Sequence, residues 1–237
     1  MDAILLAGGK GTRMQPLTFS TPKPLLPVRG RPILEWSLLS LPKTVDHVIV
    51  VVNYLREQVA DYMAQQRIIR DYTLVEQQPN PLGTGHAVQC CQPVLHSHEF
   101  LVINGDDLYD AASLQQLAEQ PLAILAAMRD EAFRFGVLQK TDDNKLKRIR
   151  EKPSPELYVS PALVNSGAYK MDQRIFDLQI KLSMRDEYEI TDYVQFLADS
   201  DAGVTIVQGA FWFPVGRPED LAQAQTLNLD ALILGMS

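Results

Sequence analysis

Short apolar runs alternate with amphipathic segments of helical length through the first half of the chain. The run at 45–52 is rich in β-branched residues, which is typical of a parallel strand buried on both faces of a sheet. Parallel strands need crossover connections, usually helices, so this order predicts an α/β fold with a mostly parallel central sheet and helices on both faces. The expected strands are 3–6, 45–52, 72–76, 100–104 and 122–128, and the expected helices are 33–41, 55–67, 85–94 after a Thr84 cap, and 110–119 with Asp110 as its cap.

The second half of the chain is less regular, and turn-rich stretches separate its short elements. Strands are expected at 135–139, 146–151, 162–171 and 204–208. Helices are expected at 173–182, from Thr191 onward, and finally from Pro218, a residue that suits the first turn of a helix. The sequence contains no internal repeat, low-complexity tract or flexible linker, so one domain over residues 1–237 is the expected organisation.

The charge and the hydropathy of the sequence exclude two classes of binding partner, nucleic acids and membranes. The 22 Lys and Arg residues against 29 Asp and Glu residues give a net charge of −7, which argues against a nucleic-acid-binding surface because phosphate backbones select basic patches. Every long apolar run is interrupted before it reaches membrane-spanning length, so no membrane partner is expected. The adjacent Cys90 and Cys91 cannot join distant segments and are interpreted as reduced thiols, which favours a cytoplasmic protein.

A glycine-rich loop follows the first expected strand, in the opening sequence MDAILLAGGKGTRMQPLTFSTPKPLLPV. Such a loop exposes backbone N–H groups, and that geometry favours an anionic ligand. GGKGTR is neither the full dinucleotide fingerprint nor the P-loop, which needs Lys-Ser/Thr directly after its last Gly. Arg13 and Lys23, the latter between two prolines, flank the loop and suit a polyphosphate that is steadied during reaction. Because Lys23 lies in a polar loop, we expect it to bury little apolar area.

The segment LLAGGKGTRMQPLTFSTPKPLLPV resembles the signature of the sugar-1-phosphate nucleotidylyltransferases, and the resemblance continues through most of the chain. QQPNPLGTGHAV is similar to the uridine-binding segment of the N-acetylglucosamine-1-phosphate uridylyltransferases, INGDDLY to the metal-carrying strand end, FGVL and REKP to sugar-site segments, and VNSGAYKM to the Asn-x-Gly strand. The resemblance implies a single-domain, Rossmann-like nucleotidyltransferase fold over residues 1–237, closest in pattern to the uridylyl- and glucose-1-phosphate thymidylyltransferase types. The β-helix acyltransferase domain of some members is not expected.

The implied reaction transfers a nucleoside monophosphate from UTP or dTTP to a hexose-1-phosphate, giving an NDP-sugar and pyrophosphate. The family pattern places Arg13 against the departing pyrophosphate and Lys23 at the α-phosphate or the sugar phosphate. Such chemistry depends on alignment and charge neutralisation. The pattern also makes Asp106, which follows a buried strand, the ligand of a Mg²⁺ cofactor and the third catalytic residue. Asp107 and Asp110 are predicted to be a turn residue and a helix cap.

Gln78 is the expected base-reading residue, because its amide can both donate to and accept from the imide edge of uracil or thymine. Gly83 would let the base lie close to the backbone, and His86 is expected to be a helix residue without catalytic work. The nucleotide-binding residues implied by the resemblance are Leu6, Ala7, Gly8, Gly9, Gly11, Thr12, Arg13, Gln78, Gly83 and Thr84.

The resemblance also implies a sugar site. Glu151, Asn165 and Thr191 match family positions that hydrogen-bond sugar hydroxyls or an acetamido group, and Gly136 adds a main-chain contact. Glu189 stands where the N-acetylglucosamine enzymes usually have an aromatic residue. The identity of the sugar therefore stays open.

One stretch departs from the family pattern. Many relatives read Trp-x-Asp-x-Gly near the end, and that Asp is the second metal ligand, whereas WFPVG puts Pro214 in its position here. Either Asp220 or a water completes the metal shell, or the chain has lost turnover. Two alternatives to the enzyme therefore stay open, a catalytically weak regulatory subunit that binds nucleotide sugars and a phosphocholine cytidylyltransferase, which shares the N-terminal signature. A homo-oligomer is compatible with each reading.

Overall fold

The computed structural model describes residues 1–235 and confirms the α/β fold, with a nine-stranded sheet between two layers of helices. The strands are β1 Asp2–Leu6, β2 Pro27–Val28, β3 Arg31–Pro32, β4 His47–Val52, β5 Tyr72–Glu76, β6 Glu99–Asn104, β7 Asp107–Tyr109, β8 Ala123–Arg129, β9 Gly136–Lys140, β10 Leu146–Glu151, β11 Ala162–Asp172, β12 Thr205–Gln208 and β13 Trp212–Pro214. The helices are α1 Ile33–Ser40, α2 Arg56–Gln65, α3 Thr84–Cys91, α4 Ala111–Ala118, α5 Ile190–Ala198, α6 Pro218–Ala224 and α7 Leu229–Leu234.

The order of strands brings the loops of the first half together at one edge. The main path across the sheet is β10-β9-β11-β6-β1-β4-β5, and β8 and β12 continue the sheet from β11. At its centre, β1 pairs in parallel with β4 and β6, and β4 pairs in parallel with β5. β11 runs antiparallel to both β6 and β8. The carboxyl ends of β1 and β6 are therefore neighbours, and their loops meet at the same edge.

Both faces of the central strands are buried, as their apolar sequences predict. In β1, Ala3 and Leu5 belong to one core cluster and Ile4 to the other, because successive side chains of a strand point to opposite faces. Helices α1, α2 and α4 contribute to the first cluster, and α3 and α5 contribute to the second. Burial of apolar surface, worth about 25 cal/mol per Å², holds the two helical layers against the sheet.

Two local expectations are wrong. Thr84 does not cap α3 but is its first residue, because its Oγ1 accepts the backbone N–H of Ile190 at 3.1 Å. The helix expected at 173–182 is a 3₁₀ segment, Gln173–Asp177, after which the chain extends so that Ile180 packs against Gly85. By contrast, Asp110 caps α4 as predicted, with its carboxylate accepting a backbone N–H at 2.7 Å.

The antiparallel pair β7–β13 has no counterpart in the sequence analysis. It joins Asp107–Tyr109 to Trp212–Pro214, so Asp107 lies in a buried strand and not in the predicted turn. Three-residue strands about a hundred positions apart carry no periodicity that a sequence reading can detect. A second helix, α7, also follows the predicted α6. The longest helix of the described part, α2, has 10 residues, and none there is long and apolar enough to cross a membrane.

Candidate active site

The glycine loop, residues 8–13, follows β1 at the carboxyl edge of the sheet. A Cβ on Gly8 would lie 3.2 Å from the backbone nitrogen of Asn53, in the chain that follows β4. Gly11 has a φ of 59°, and a Cβ there would lie 3.0 Å from Cγ2 of Thr18. Both positions need glycine, the first for close approach and the second also for its left-handed backbone.

Two cavities flank the end of β6. The first, which we call the glycine-loop cavity, has a volume of about 500 Å³ and lies between the glycine loop and the start of α3. The second, which we call the cationic cavity, has a volume of about 410 Å³. Asn104 and Asp106 line both cavities, so the two spaces meet at these side chains. A ligand in one cavity can therefore reach a ligand in the other beside Asp106.

The glycine-loop cavity collects part of the predicted nucleotide site. Of the residues implied by the family resemblance, it is lined by Leu6, Gly8, Gly9, Gly83 and Thr84. Arg13 instead lines the cationic cavity. The remaining ones, Ala7, Gly11, Thr12 and Gln78, line neither cavity.

The cationic cavity has five basic side chains, Arg13, Lys23, Arg134, Lys152 and Arg217. Within residues 1–235, Arg13, Lys152 and Arg217 form no ion pair, whereas Lys23 pairs with Asp106 and Arg134 with Glu131. Unpaired cations around one small cavity favour a ligand that carries several negative charges.

Lys23 is buried, whereas the sequence predicts a residue of a polar loop that buries little apolar area. Its Nζ donates to Oδ2 of Asp106 at 2.7 Å, and its side chain is 10% exposed. Although burial lowers it, the neighbouring Asp106 and Asp107 carboxylates raise the pKa of Lys23 above its ordinary value of 10.5. The ammonium is therefore held in its charged form against the Asp106 carboxylate.

Asp107 is a buried residue that accepts hydrogen bonds from the segment around β13. Its two carboxylate oxygens accept the indole N–H of Trp212 at 3.4 Å and the backbone N–H of Val215 at 3.3 Å. Burial, together with the charge of Asp106, raises the pKa of Asp107 to about 7. Asp107 thus ties β13 to β7 just beyond the end of β6, and it lines the cationic cavity together with Asp106.

Asn104 is held in position by the absence of a side chain on Gly167. A Cβ on Gly167 would lie 2.1 Å from Nδ2 of Asn104, and Gly167 has a φ of 81°. Gly167 also donates its N–H to Oδ1 of Asn165 at 2.9 Å. The Asn-x-Gly strand therefore places Asn165 and Asn104 at the cationic cavity together.

The two adjacent glutamines before α3 face different surroundings. Gln78 is exposed and its Nε2 donates to the Glu76 carboxylate at 2.9 Å, so the structure does not bring this predicted base-reading residue into the cavity. Gln77 is 6% exposed and lines the glycine-loop cavity. Successive residues of an extended chain point to opposite sides, so only one of the two can face the cavity. Base reading by Gln78 remains a prediction, but the geometry favours its neighbour.

The predicted sugar-binding residues are only partly assembled. Asn165 lines the cationic cavity, whereas Thr191 lies in the first turn of α5 and lines neither cavity. Gly136 makes room for Glu151, since a Cβ on Gly136 would lie 2.8 Å from Oε1 of Glu151. Glu151 is an exposed residue that lines neither cavity, but desolvation of its carboxylate raises its pKa, and repulsion by Glu189 adds to this effect.

The donor atoms at the junction fit a hard divalent cation. Oδ2 of Asp106 accepts from Lys23, while its Oδ1 has no partner within residues 1–235. Pro214 lines the cationic cavity without any side-chain oxygen, and Asp220 lines it with Oδ2 accepting the Gly216 N–H at 2.9 Å. One or two carboxylates suffice for Mg²⁺ when waters and substrate phosphates complete its shell. The residues present therefore fit such an ion.

Sequence reasoning missed Lys152 and Arg217. Lys152 directly follows Glu151 in REKP and has a φ of 41°, a backbone conformation that non-glycine residues adopt mostly where the surroundings enforce it. Its position beside Glu151, a predicted sugar-binding residue, could have identified Lys152 from the sequence. Arg217 precedes α6 and is exposed, and its sequence surroundings gave no signal that it would reach the cavity.

Comparisons with known proteins agree with this architecture. The family model described as Nucleotidyl transferase matches residues 2–230. The bifunctional protein GlmU of Methanococcus maripaludis is 34% identical over 239 residues, which cover 100% of this chain and 56% of GlmU. The chain thus spans about half the length of the curated relatives it matches first.

Solved structures share the fold at low sequence identity. A Bacillus anthracis protein described as a glucose-1-phosphate thymidylyltransferase has a TM-score of 0.82 at 24% identity, covering 97% of this chain and 96% of that one. The inositol-1-phosphate CTP transferase from T. maritima has a TM-score of 0.79 at 18% identity, covering 98% and 97%. The chain belongs to the nucleotidyl transferase family, among the sugar-1-phosphate nucleotidylyltransferases.

Proposed function

We propose that the chain transfers UMP or dTMP from UTP or dTTP to a hexose-1-phosphate, giving an NDP-sugar and pyrophosphate. The observation that carries the proposal is the meeting of two cavities at Asn104 and Asp106. One has a glycine loop suited to a triphosphate, and the other has unpaired cations suited to a phosphorylated acceptor. A donor and an acceptor held in this way would have their phosphates side by side.

The chemistry would be an in-line displacement. An oxygen of the sugar phosphate attacks the α-phosphorus, a new P–O bond forms, and the bond between the α-phosphorus and the bridging oxygen of pyrophosphate breaks. Lys23 would neutralise charge that develops on the α-phosphate, and Arg13 would face the departing pyrophosphate. Lys152, unpaired in the same cavity, would bind the attacking phosphate. Positioning and preorganised charge account for most catalysis of this kind.

Asp106, through its unpartnered Oδ1, would hold a Mg²⁺ ion, with Asp220 as the candidate second carboxylate. When bound, this ion would neutralise phosphate charge at the reacting centre. The substitution of Pro214 for a carboxylate removes one ligand but leaves a donor set that Mg²⁺ accepts.

The acceptor is expected to contact Asn165, Glu151 and the backbone at Gly136. The carboxylate of Glu151 can accept hydrogen bonds from sugar hydroxyls, and the amide of Asn165 can both donate and accept. Of these predicted residues, Asn165 lines the cationic cavity, whereas Gly136, Glu151 and Thr191 lie outside both cavities.

A regulatory subunit that binds nucleotide sugars without turnover is the second candidate, and Pro214 is the observation that favours it. The third reading, a phosphocholine cytidylyltransferase, is disfavoured by the aromatic surroundings of the cleft. The guanidinium of Arg129 lies 5.0 Å from the centre of the Trp212 ring, so the face that would bind a quaternary ammonium already carries a cation.

A substrate panel tests the proposal. Five nucleoside triphosphates are combined with several sugar-1-phosphates and with phosphocholine, and pyrophosphate release is followed with and without Mg²⁺. We expect release only with UTP or dTTP, a hexose-1-phosphate and Mg²⁺ together. Binding of UTP by calorimetry without any release would favour the regulatory subunit, and release with CTP and phosphocholine would favour the third reading.

A further inference from the structure

We propose that Asp2, His47 and His96 form a binding site for a transition-metal dication of the Zn²⁺ class at the amino edge of the sheet. A ligating atom of each residue lies within 4.8 Å of those of the other two. Asp2 and His47 are the first residues of β1 and β4 and pair in register, and His96 lies in the segment that leads into β6. The glycine loop follows the opposite end of β1, so this inference does not depend on the proposed function.

The charge of Asp2 is the first observation that points to a cation. Asp2 is 1% exposed, and within residues 1–235 its only ion-pair partner is His47, which is 3% exposed and carries a charge only when protonated. The ammonium of Lys170 at the same edge pairs with Glu99 instead. Buried carboxylates are as a rule paired with a cation or bound to a metal ion. Beside a neutral His47 ring, the Asp2 carboxylate has no cation.

The carboxylate of Asp2 is held in a fixed orientation. Its Oδ2 accepts the backbone N–H groups of His96 at 2.6 Å and Ser97 at 2.9 Å, and its Oδ1 lies 3.1 Å from Nδ1 of His47. Two ligand atoms of a tetrahedral Zn²⁺ ion lie about 3.3 Å apart when each bond is about 2.0–2.1 Å long. A metal ion can therefore replace the proton between Oδ1 and Nδ1 with little movement of either side chain.

The second ring nitrogen of His47 has a partner that suits metal binding. Nε2 of His47 lies 3.0 Å from Oγ1 of Thr73. A hydroxyl can donate or accept, so Thr73 can accept the ring proton from Nε2 when Nδ1 binds the metal. Histidines that bind a metal almost always donate their other ring N–H to such an acceptor, which fixes the tautomer and the orientation of the ring. The two backbone N–H groups support Asp2 in the same way.

His96 supplies the third ligand from the solvent side. Its side chain is exposed, and its ring lies 4.4 Å from the ring of His47, with 23° between the two planes. Neither ring nitrogen of His96 has a hydrogen-bond partner among the described residues, so the ring can rotate to direct a nitrogen at the ion. Water completes the shell. Two imidazoles and one carboxylate suit Zn²⁺, whereas Mg²⁺ and Ca²⁺ prefer oxygen ligands.

Metal binding is measured on the whole chain, after EDTA has removed bound metals and has itself been removed. Zn²⁺ is titrated in competition with a chromophoric chelator in the presence of excess Mg²⁺, and thermal unfolding is followed with and without Zn²⁺. We expect Zn²⁺ to bind and Mg²⁺ not to displace it. At a Zn²⁺ concentration a hundredfold above Kd, the melting temperature should rise by about 5–10 °C.

Two exposed histidines of one segment provide a matched pair of variants. His96→Ala removes the third ligand and leaves the buried pair intact. We expect its affinity for Zn²⁺ to fall by at least about 10–100-fold, the loss typical when even a hydrogen-bond partner of a ligand is removed. His98→Ala lies two residues further along the segment and should keep the affinity of the wild type.

Three results would overturn the inference. The first is a wild-type chain that binds no Zn²⁺, and the second is equal Zn²⁺ affinity in the wild type and His96→Ala. The third is a loss of Zn²⁺ binding in Asp106→Asn or His86→Ala together with full binding in His96→Ala. The metal would then bind in the cleft, or beside Cys90, whose Sγ lies 3.6 Å from Nε2 of His86. None of these results decides the proposed reaction, which the substrate panel tests.

Discussion

Replacing Lys23 by alanine is expected to lower stability as well as turnover, because its buried ammonium pairs with the carboxylate of Asp106. The Nζ of Lys23 lies 2.7 Å from Asp106, and the Lys23 side chain is 10% exposed against 32% for that of Asp106. Asp107 stands next in the chain and is buried. The substitution therefore leaves the Asp106 carboxylate without its cation and favours the protonated form of Asp107, whose pKa Lys23 lowers.

The magnitude follows from the separation of the charges. At an effective dielectric constant of about 20, two unit charges this close attract by about 6 kcal/mol, and desolvation of the ammonium offsets several kcal/mol of that attraction. Because Asp106 is partly exposed, we expect a net loss of about 2 kcal/mol in the free energy of unfolding. For a chain of this length that corresponds to a melting temperature lower by about 4–8 °C. Turnover should fall on the order of a hundredfold or more.

A double-mutant cycle measures the pair. The free energy of unfolding is determined in urea for the wild type, Lys23→Ala, Asp106→Asn and the double variant, with the exposed Lys147→Ala as the matched control. We expect the double variant to be more stable than the sum of the single losses predicts, by about 1–2 kcal/mol, since each single variant strands the other partner. Lys147→Ala should change stability by less than about 0.5 kcal/mol.

Two results would refute this reasoning. Additive losses in the cycle would mean that the ion pair contributes nothing to the folded state. Full activity in Lys23→Ala would mean that the buried ammonium does not act on the phosphates, and the assignment of the cationic cavity would then fail.

Four further outcomes are expected. Gly167→Ala should displace Asn104 and abolish turnover, measured by pyrophosphate release, because the new Cβ would lie 2.1 Å from the amide nitrogen. Pro214→Asp should leave activity equal or raise it and should lower the Mg²⁺ concentration for half-maximal rate. Because the pKa of Glu151 is raised above 4.5, its contribution to stability is full below pH 4.5 and is lost as pH rises through the folded pKa, and Glu151→Gln should remove that slope in unfolding titrations. Asp2→Ala should lower the free energy of unfolding by about 2–5 kcal/mol, because this buried carboxylate accepts two backbone N–H groups. UTP affinity should not change, because Asp2 lies at the edge of the sheet opposite the cleft.

The elements whose signal is local could be predicted from the sequence. β4, β5 and β10 carry apolar or alternating patterns over five or six residues, and their predicted bounds lie within two residues of the observed ones. Asp110 was identifiable as a helix cap because its carboxylate accepts a hydrogen bond from a backbone N–H only three residues further along the chain. Arg13 and Asp106 line the same cavity because their loops follow β1 and β6, parallel neighbours whose carboxyl ends meet at one edge, and their catalytic roles remain predictions.

The errors concern properties that depend on distant parts of the chain. Lys23 is buried because Asp106, 83 positions away, receives its ammonium. Thr84 lost its capping role to a contact with Ile190, 106 positions away. Gln77 and Gln78 follow β5, and their side chains point to opposite sides. A sequence motif that can be aligned in two ways, one residue apart, cannot tell which of them faces the cavity.

The segment around Pro214 has no side-chain carboxylate at that position, yet contacts with the protein hold it in place. Pro214 pairs with Asp107 across β13 and β7, and Asp107 accepts N–H groups from both sides of Pro214, at Trp212 and Val215. The segment is therefore anchored by a carboxylate on β7, and its position does not depend on a metal ion. Asp106, anchored by Lys23, then remains the carboxylate with a free oxygen at the junction, so cation binding should depend on the phosphates that the substrates bring.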